Sequence, residues 1–475
     1  MIKLFNKLRG LPKGVKASVA FFFASIITSG ISYLVTPIYT RVLSTEEYGQ
    51  TSVFMTWTSV FAIIAMFCLS SGVFNNGMLD NPDKRDEYSY SMLILSNIIT
   101  IIFSVVILLL YPFIKDILGI DIPLLILMCV LFFFQPAYNF WTTRQRYELK
   151  YKKTVFWTII CAIASPAIAI LCISLMPDNR LYARLFGAEL TLIAVYIGFY
   201  IYISFKSKFK LETKFWKPAI LFNLPLIPHY LSMYLLGNSN KIMISNIIGD
   251  TATAYYSVAN SVAMVASIVW SSINASLIPY TYENCKKKNY KAISAVTMPI
   301  LTVFAFVCVM IIMLAPEVVA IMATADYMEA IYVIPPIVGG VFFQVQYFIY
   351  ANIVYYHKKT KYVMYASVTA TLLNFVLSYF LISKFGYLAA GYTTIICYFV
   401  QAVLDYVAMR KVIKEKIYNM RYIGLLSLVV VLVAIFSNLL YEYAFVRYSI
   451  IAGIFVIAVI FRKKLIEIIK SIKKK

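Results

Sequence analysis

Of the ionisable side chains that lie inside otherwise apolar stretches of this sequence, four are the groups best suited to chemistry there. Arg184 and Glu189 share one stretch, whereas Lys241 and Asp405 lie in two others. An ionisable group among apolar residues is costly to bury and by default indicates function. A guanidinium or ammonium can hold an anion through charge-assisted hydrogen bonds, and a carboxylate can hold a proton or a cation. The sequence therefore predicts charge recognition, with no constellation suited to covalent catalysis.

Arg41 and Lys241 are candidate cations near the ends of apolar stretches. Arg41 follows the first stretch and could contact a bound anion. It could instead form an ion pair with Glu46 or Glu47, or extend to the membrane interface. Lys241 ends the polar sequence NSNK at residues 238–241. Contact with a substrate and anchoring at the interface both fit that position.

The candidate carboxylates are Glu189 and Asp405. Arg184 and Glu189 are five residues apart, which places them about 140° apart around a helix, so they are not an ideal intrahelical pair. Glu189 is therefore the preferred carboxylate for coupling to a substrate or an ion. Asp405 could serve the same purpose, or could simply pair with Arg410 or Lys411.

One histidine and several amides complete the candidate set. His229 follows Pro225 and Pro228, which each remove a backbone donor, so we expect a kinked helix. The kink could face a cavity, or could merely shape packing. The histidine could carry a proton near neutral pH, or could be a hydrogen-bonded packing residue. Asn139 and Asn260 could line a polar cavity, or could join helices by hydrogen bonds.

Membrane-spanning helices are the elements that must position these residues. The chain is 61% hydrophobic, only 13% charged, and has a mean hydropathy of +0.80. A span needs about 20 apolar residues, and fourteen such stretches can be drawn. The predicted spans are 17–39, 49–74, 90–111, 122–142, 155–176, 182–204, 219–247, 252–280, 292–314, 328–354, 362–383, 386–408, 422–441 and 446–461.

Lys and Arg crowd into every second gap between these stretches. Short loops rich in Lys and Arg stay in the cytoplasm, so both ends of the chain are predicted to be cytoplasmic. The net charge of +22 is spread over loops facing an anionic leaflet, and no nucleic-acid partner is expected. Seven of the 43 basic residues lie outside these gaps, namely Arg41, Lys115, Arg180, Arg184, Lys241, Lys384 and Arg447.

The chain contains a pattern typical of a diverged duplication. At an offset of 205 residues, Ser52-Val53 aligns with Ser257-Val258, and predicted helices 1–6 and 7–12 start on the same side of the membrane. We therefore predict an all-α membrane protein of about fourteen transmembrane helices, with two six-helix lobes around a cavity and two further C-terminal helices. The predicted regions are an N-lobe over 1–204, a cytoplasmic connecting loop over 205–218, a C-lobe over 219–408, and helices 13 and 14 with a basic cytoplasmic tail over 409–475.

Several classes of protein are disfavoured by what the sequence lacks. It contains no GxxxxGK[ST] phosphate loop, only two histidines, and seven cysteines without a CxxC pair or zinc spacing. The longest outer connection, Ala315 to Tyr327, is too short for a catalytic domain. The sequence therefore predicts a protein that is not an enzyme, that moves its substrate without changing bonds, and that uses neither a cofactor nor a metal.

Three groups of motifs resemble bacterial polysaccharide flippases of the Wzx type. Residues 40–49 read TRVLSTEEYG, similar to the family's "aRvLg-x-eeyG". Residues 143–147 read TRQRY and are followed by the basic sequence KYKK, similar to the family's loop after helix four. The sequences LPLIP, NKIMIS and AYYSVA, which begin at 224, 240 and 254, match "lPLip … DRfiI … vGiYsvA". Asn240 stands where the family often has Asp, so an acid–base pair with Lys241 is absent.

This resemblance implies the MATE-like fold of the multidrug/oligosaccharidyl-lipid/polysaccharide exporter superfamily. It also implies a function: alternating access that flips undecaprenyl-diphosphate-linked sugar repeat units from the inner to the outer leaflet of the bacterial cytoplasmic membrane. The product would be O-antigen, capsule or exopolysaccharide, and polysaccharide polymerase or co-polymerase proteins would be partners beside membrane lipids. Arg41, Arg184 and Lys241 would then contact the diphosphate or sugars, together with Asn139 and Asn260.

Two other functions remain open on the sequence alone. One is a cation-coupled multidrug exporter of the MATE type, whose cationic substrates would favour a cavity dominated by carboxylates. Arg41 and Lys241 argue mildly against it. The other is a membrane scaffold in a glycan-assembly complex, which intramembrane ionisable residues and a proline-kinked helix make less attractive.

Overall fold

The computed structural model describes residues 13–70 and 73–460, and these residues are helical almost throughout. No β-strand occurs in this part of the chain, so the predicted all-α class is confirmed. Two compact units form, Met1–Leu231 and Ser232–Lys475. The lobe boundaries at 204 and 219 stay a prediction. The predicted basic tail, from residue 461 onward, lies outside the described residues.

In the N-terminal unit, the first two helices meet at a tight turn. Ser44 Oγ accepts a hydrogen bond from the backbone N–H of Glu47 at 3.1 Å, and Glu47 Oε2 accepts one from the N–H of Ser44 at 2.8 Å. This capping box satisfies two donors that the start of a helix would otherwise leave bare. The helices of this unit are α1 (Lys13–Val42), α2 (Thr45–Ala65), α3 (Val73–Asp80), α4 (Arg85–Leu118), α5 (Ile122–Tyr147), α6 (Tyr151–Leu175), α7 (Arg180–Lys206) and α8 (Trp216–Asn223).

In the C-terminal unit, α13 is the central helix, with 89% of its apolar window buried. Glycines bring it close to α15: a Cβ at Gly391 would lie 2.6 Å from Pro336 Cγ, and one at Gly340 would lie 2.8 Å from Thr394 Cγ2. Small residues allow such close packing of helices in membranes. The helices from the unit boundary onward are α9 (Ile227–Ile247), α10 (Asp250–Lys286), α11 (Tyr290–Met313), α12 (Ala315–Met322), α13 (Ile334–Tyr356), α14 (Thr360–Phe385), α15 (Leu388–Val412), α16 (Met420–Phe436) and α17 (Ala444–Ile460).

Eleven helical segments in the described residues are long and apolar enough to cross a membrane. The chain is therefore a multi-pass membrane protein. The three other predicted spans fall on α1, α2 and α17. The total of fourteen spans stays a prediction.

The second predicted span, 49–74, is interrupted, so the prediction of one continuous helix was wrong there. α2 ends at Ala65, and α3 begins only at Val73. Between them Phe67 and Cys68 have φ values of 55° and 50°. This left-handed region is costly for residues other than glycine, and it persists only where surrounding contacts hold it.

Side chains from two other helices supply those contacts. Asn223 Nδ2 donates to the carbonyl oxygen of Phe67 at 3.1 Å, and Thr100 Oγ1 donates to that of Ala65 at 3.0 Å. Irregular backbone at membrane depth requires such replacement partners, because hydrocarbon offers none. The interruption is therefore a built feature of the N-terminal unit.

The irregularity predicted at Pro225 and Pro228 is confirmed. A 3-10 turn, Leu224–Leu226, separates α8 from α9 where the sequence predicts a single kinked helix over 219–247. The connection after Met313, which is predicted to lie on the outer side, contains regular structure. It contains α12 and a 3-10 segment, Ala325–Tyr332, because Val319 and Tyr327 are buried in the unit.

Candidate functional site

The N-terminal unit contains a group of three chemically active side chains on α1 and α7. The Arg184 guanidinium carbon lies 4.5 Å from the centre of the Tyr39 ring, a cation–π contact. Arg184 Nε is buried and has no hydrogen-bond acceptor. The guanidinium is thus held in place on one face while part of its donor capacity is unused.

Glu189 lies one helical turn and a half farther along α7, and its side chain is buried, with 5% exposed. Its carboxylate has no hydrogen bond or ion pair with any described residue, and Arg184 is the cation whose charge reaches it. The two residues share an electrostatic neighbourhood with Tyr39 without forming a direct pair. This agrees with the angle predicted from their spacing. A buried carboxylate without partners can exchange a proton or bind a cation.

Arg41, the other N-terminal candidate, is held within its own helix. Its Nη1 donates to the carbonyl oxygen of Pro37 at 2.7 Å. Glu47, one proposed ion-pair partner, engages its carboxylate in the capping box with Ser44. The end of α1 is instead contacted by Arg180, whose Nη1 donates to the Val42 carbonyl oxygen at 3.1 Å.

The C-terminal unit contains a neutral hydrogen-bond network centred on Asn240 of α9. Asn240 Nδ2 donates to Ala390 O at 3.0 Å, to Thr394 Oγ1 at 3.1 Å and to Tyr256 Oη at 3.2 Å. Its Oδ1 accepts from Ser378 Oγ at 2.8 Å. One side chain thereby joins α9, α10, α14 and α15. Sequence analysis missed this role, although the position was singled out as a departure from the family pattern.

Lys241, next to that centre, makes none of these bonds. Its side chain is half-buried, and no ion pair or hydrogen bond to it occurs among residues 13–70 and 73–460. The ammonium group therefore has no counter-ion within the part of the chain described. Its predicted contact with substrate stays a prediction.

Asp405 differs from its expected environment. The alternative that it pairs with Arg410 or Lys411 is wrong: Asp405 is fully buried, and neither carboxylate oxygen has a hydrogen-bond partner. Arg410 Nη1 is likewise without a partner. Five or six residues along one helix place these side chains on different faces of α15, which is why the pair does not form.

The remaining candidates are dispersed. Asn139 Nδ2 lies 4.0 Å from Met66 Sδ, beside the interruption after α2. His229 follows the 3-10 turn, and its Nδ1 is buried without a partner. Asn260 is half-buried on α10. The structure therefore groups Arg184 with Glu189 and does not group the amides with them.

An ion pair that the sequence analysis missed lies at the connection after Met313. Arg447 of α17, 3% exposed, forms an ion pair with Glu317 of α12, and Tyr448 Oη donates to Glu317 Oε1 at 2.5 Å. One signal was available, since Arg447 is one of the seven basic residues outside the Lys- and Arg-rich gaps. No cluster of three or more potential metal ligands occurs in the described residues.

Comparison with known proteins adds the family. A family model described as "Polysaccharide biosynthesis protein" matches residues 15–285, and one described as "MatE" matches residues 225–380. Lsg locus protein 1 of Haemophilus influenzae is 21% identical, with 76% of this chain and 89% of that protein covered.

Solved structures of the same fold were also found. The lipid II flippase MurJ in an inward closed conformation has a TM-score of 0.67 at 13% identity, covering 95% of this chain and 100% of that chain. An inward-facing multidrug resistance MATE family transporter has a TM-score of 0.61 at 14% identity, covering 81% and 94%. The chain therefore belongs to the polysaccharide biosynthesis protein family, which confirms its resemblance to the polysaccharide-flippase branch of the multidrug/oligosaccharidyl-lipid/polysaccharide exporter superfamily.

Proposed function

We propose that this protein flips undecaprenyl-diphosphate-linked oligosaccharide repeat units by alternating access. The units would move from the inner to the outer leaflet of the bacterial cytoplasmic membrane, for O-antigen, capsule or exopolysaccharide synthesis. Membership of the polysaccharide biosynthesis family supports a glycan substrate. Similarity to the lipid II flippase along the whole of that chain supports a lipid-linked one.

The physical task suits such a protein. Sugar hydroxyls and a diphosphate cannot cross hydrocarbon unaided, because each unsatisfied polar group there costs several kcal/mol. A protein that offers replacement donors at membrane depth lowers that barrier, while the polyprenyl tail remains in lipid.

The observation that carries the proposal is the state of Arg184. Its guanidinium is fixed on the ring of Tyr39, and its buried Nε has no acceptor in the protein. A preorganised, partly unused cation is what binding of an anionic headgroup requires, since guanidinium groups form strong charge-assisted bonds with phosphate. Arg41 and Lys241 would assist the diphosphate, and Asn139 and Asn260 the sugars.

Coupling to an ion gradient would use a buried carboxylate. Glu189 is the preferred group because it lies in the same unit as Arg184 and lacks hydrogen bonds. Asp405 and His229 are the other candidates for exchange of a proton or sodium ion. The membrane potential acting on an anionic headgroup would drive the same movement without any of them.

The proposed orientation places both termini in the cytoplasm, following the distribution of Lys and Arg in the sequence. Polysaccharide polymerase or co-polymerase proteins would receive the product at the outer face. Neighbouring genes for glycosyltransferases and a polymerase would support this assignment.

A vesicle assay tests the function directly. Purified protein would be reconstituted with a fluorescent polyprenyl-diphosphate sugar, and movement between leaflets would be followed by quenching from outside. Arg184→Gln should slow the movement by roughly tenfold or more, because one charge-assisted bond is lost. Lys384→Gln, which removes an exposed cation beside Phe385, is the matched control. Normal flipping by Arg184→Gln would refute the role of this residue, and no movement by the unaltered protein would refute the function.

A cation-coupled multidrug exporter is the second candidate, and one observation favours it. Glu189 and Asp405 are both buried carboxylates without hydrogen bonds in the described structure, a state that also suits a cationic substrate. Vesicles with an imposed proton or sodium gradient, loaded with a cationic dye, separate the two functions. Dye efflux without movement of the lipid-linked sugar would favour the exporter.

A further inference from the structure

A cleft in the N-terminal unit lies apart from the intramembrane charges. It occupies about 1030 Å³ where the end of α5, the start of α6 and the end of α7 meet. Four lysines line it: Lys150, Lys152, Lys153 and Lys206. This is the membrane end that the distribution of Lys and Arg assigns to the cytoplasm. Its volume is at the upper end of the range of small-molecule sites.

The acidic groups around the cleft are already engaged. Glu148 Oε1 accepts from Arg144 Nε at 2.9 Å, and its Oε2 accepts from Lys150 Nζ at 2.6 Å. Burial alone would raise the pKa of Glu148, but the bonds from Lys150 and Arg144 outweigh burial and lower that pKa. The negative charge of Glu148 is therefore already neutralised by Arg144 and Lys150.

Asp86 is engaged in the same way, since it pairs with Arg144 and lies 3.4 Å from Lys206 Nζ. Lys152 and Lys153 have no acidic partner among the described residues. Glu148 is the only acidic residue in the lining, so the described wall carries an excess of positive charge that the protein does not neutralise.

Aromatic rings form the rest of the wall. Trp157 packs edge-on against Phe199 at 5.4 Å, and Trp141 lies 4.3 Å from the same ring. Tyr202 is exposed and lies 5.6 Å below Lys206 Nζ. Indole and phenol rings of this kind sit at the level of lipid headgroups. The cleft thus combines a cationic rim with a wall that tolerates glycerol, sugar or the first carbons of a lipid chain.

From this combination we infer that the cleft binds the phosphate-bearing headgroup of a membrane lipid. Basic pockets between transmembrane helices on the cytoplasmic side recognise such headgroups. The headgroup could come from an anionic phospholipid or from a polyprenyl diphosphate, which present the same phosphate chemistry. The inference does not rest on the proposed flipping, because bulk phospholipid would fill the site equally well.

Lipid retention by the full-length protein tests this inference. The protein, purified in a mild detergent, would be mixed with phosphatidylglycerol, undecaprenyl diphosphate, phosphatidylcholine or inorganic phosphate, and bound lipid would be counted by native mass spectrometry. We expect both anionic lipids to be retained in preference to phosphatidylcholine. Free phosphate at the same concentration should not displace them, because it lacks contact with the aromatic wall.

The informative variant is Lys152→Gln combined with Lys153→Gln. It should weaken retention of anionic lipid by roughly tenfold, whereas Lys152→Arg with Lys153→Arg should retain it. The matched control, Lys358→Gln with Lys359→Gln, removes the same charge from another basic loop and should leave retention unchanged. Loss of one anionic lipid but not the other would support the site and identify its source.

Two results would overturn the inference. One is unchanged retention in the Gln variant, and the other is equal loss in the control variant, which would indicate nonspecific attraction to basic loops. Both results concern binding alone, so either would leave the flipping assay to be judged separately.

Discussion

The two units differ in how the buried polar side chains that we singled out are hydrogen-bonded. In the N-terminal unit, Arg184 and Glu189 are charged groups with few or no hydrogen bonds. In the C-terminal unit, Asn240 is a neutral group with four hydrogen bonds to three other helices. A satisfied neutral network stabilises packing, whereas an unsatisfied charge costs stability and is kept where a ligand will meet it. From this difference we infer a structural role for Asn240 and propose a ligand-binding role for the charged residues.

Asp405 does not fit this division, because it is a carboxylate without hydrogen-bond partners in the C-terminal unit. In the predicted duplication, the helix that contains Asp405 corresponds to the sixth helix, which contains Glu189 at another position along its length. The contrast between satisfied and unsatisfied buried groups therefore holds between individual residues as well as between the two units. The following substitutions are arranged to test it.

Asn240→Leu should have the largest effect on stability. It removes four hydrogen bonds and leaves Ser378 and Thr394 short of partners, so we expect the free energy of unfolding to fall by about 2 kcal/mol or more. Reversible unfolding in mixed micelles would measure it. Asn238→Ala, which removes one local bond to Tyr234 on the same helix, is the control. If both variants lose the same stability, the network has no special role.

Glu189→Gln should reduce transport and leave stability unchanged or higher, in contrast to Asn240→Leu. Replacing a buried charge by a neutral amide should preserve or raise stability, while gradient-driven transport falls by roughly tenfold or more. Stability and vesicle transport would be measured on the same preparation. Normal flipping at every imposed gradient would eliminate the carboxylate as the coupling group.

Asp405→Asn distinguishes an idle buried charge from a working one. Because neither oxygen of Asp405 has a partner, the neutral amide should raise the free energy of unfolding by about 1 kcal/mol. Transport assays on this variant would show whether Asp405, like Glu189, is needed for gradient-driven transport. A loss of stability instead would indicate that a cation or water normally binds there.

Glu212→Gln should have the smallest effect, because it changes a partly exposed ion-pair cluster outside the predicted spans. Bonds from Lys214 and Lys84 lower the pKa of Glu212 to about 2. A lowered folded-state pKa gives stability that is present above the unfolded value near 4.5 and is lost as pH falls toward 2. The variant should therefore be less stable than the unaltered protein at pH 6, and the two should have nearly the same stability at pH 2. Melting temperatures across this range would measure the difference, and a constant gap would refute the assignment.

Much of the helical framework follows from apolar stretches and charge. The predicted span 182–204 corresponds to Arg180–Lys206, and 155–176 to Tyr151–Leu175. Pro225 and Pro228 also mark their irregularity correctly, because a missing backbone donor is a local property. Local composition was sufficient to predict these helices and this irregularity, because both depend on residues that are close in sequence.

The interruption after Ala65 was missed, although Gly72 within it is a local signal for irregular structure. The conformation of residues 66–70 also depends on donors from Thr100 and Asn223 far along the chain. The network around Asn240 was missed because its partners lie on three other helices, and no single partner indicates a network in the sequence. For Asp405, the alternative of a pair with Arg410 or Lys411 was wrong, because residues close in sequence need not lie on the same face of a helix.

The bond from Asn223 to Phe67 has a consequence for biogenesis, because it joins residues 156 positions apart. While the ribosome is still extending the chain, the Phe67 carbonyl has no such partner, and lipid supplies none. The second span should therefore enter the bilayer as an ordinary helix and open only after α8 emerges. Maturation of the N-terminal half thus waits on synthesis of its last helix, and nascent chains stalled before Asn223 should show a protected amide ladder through Phe67.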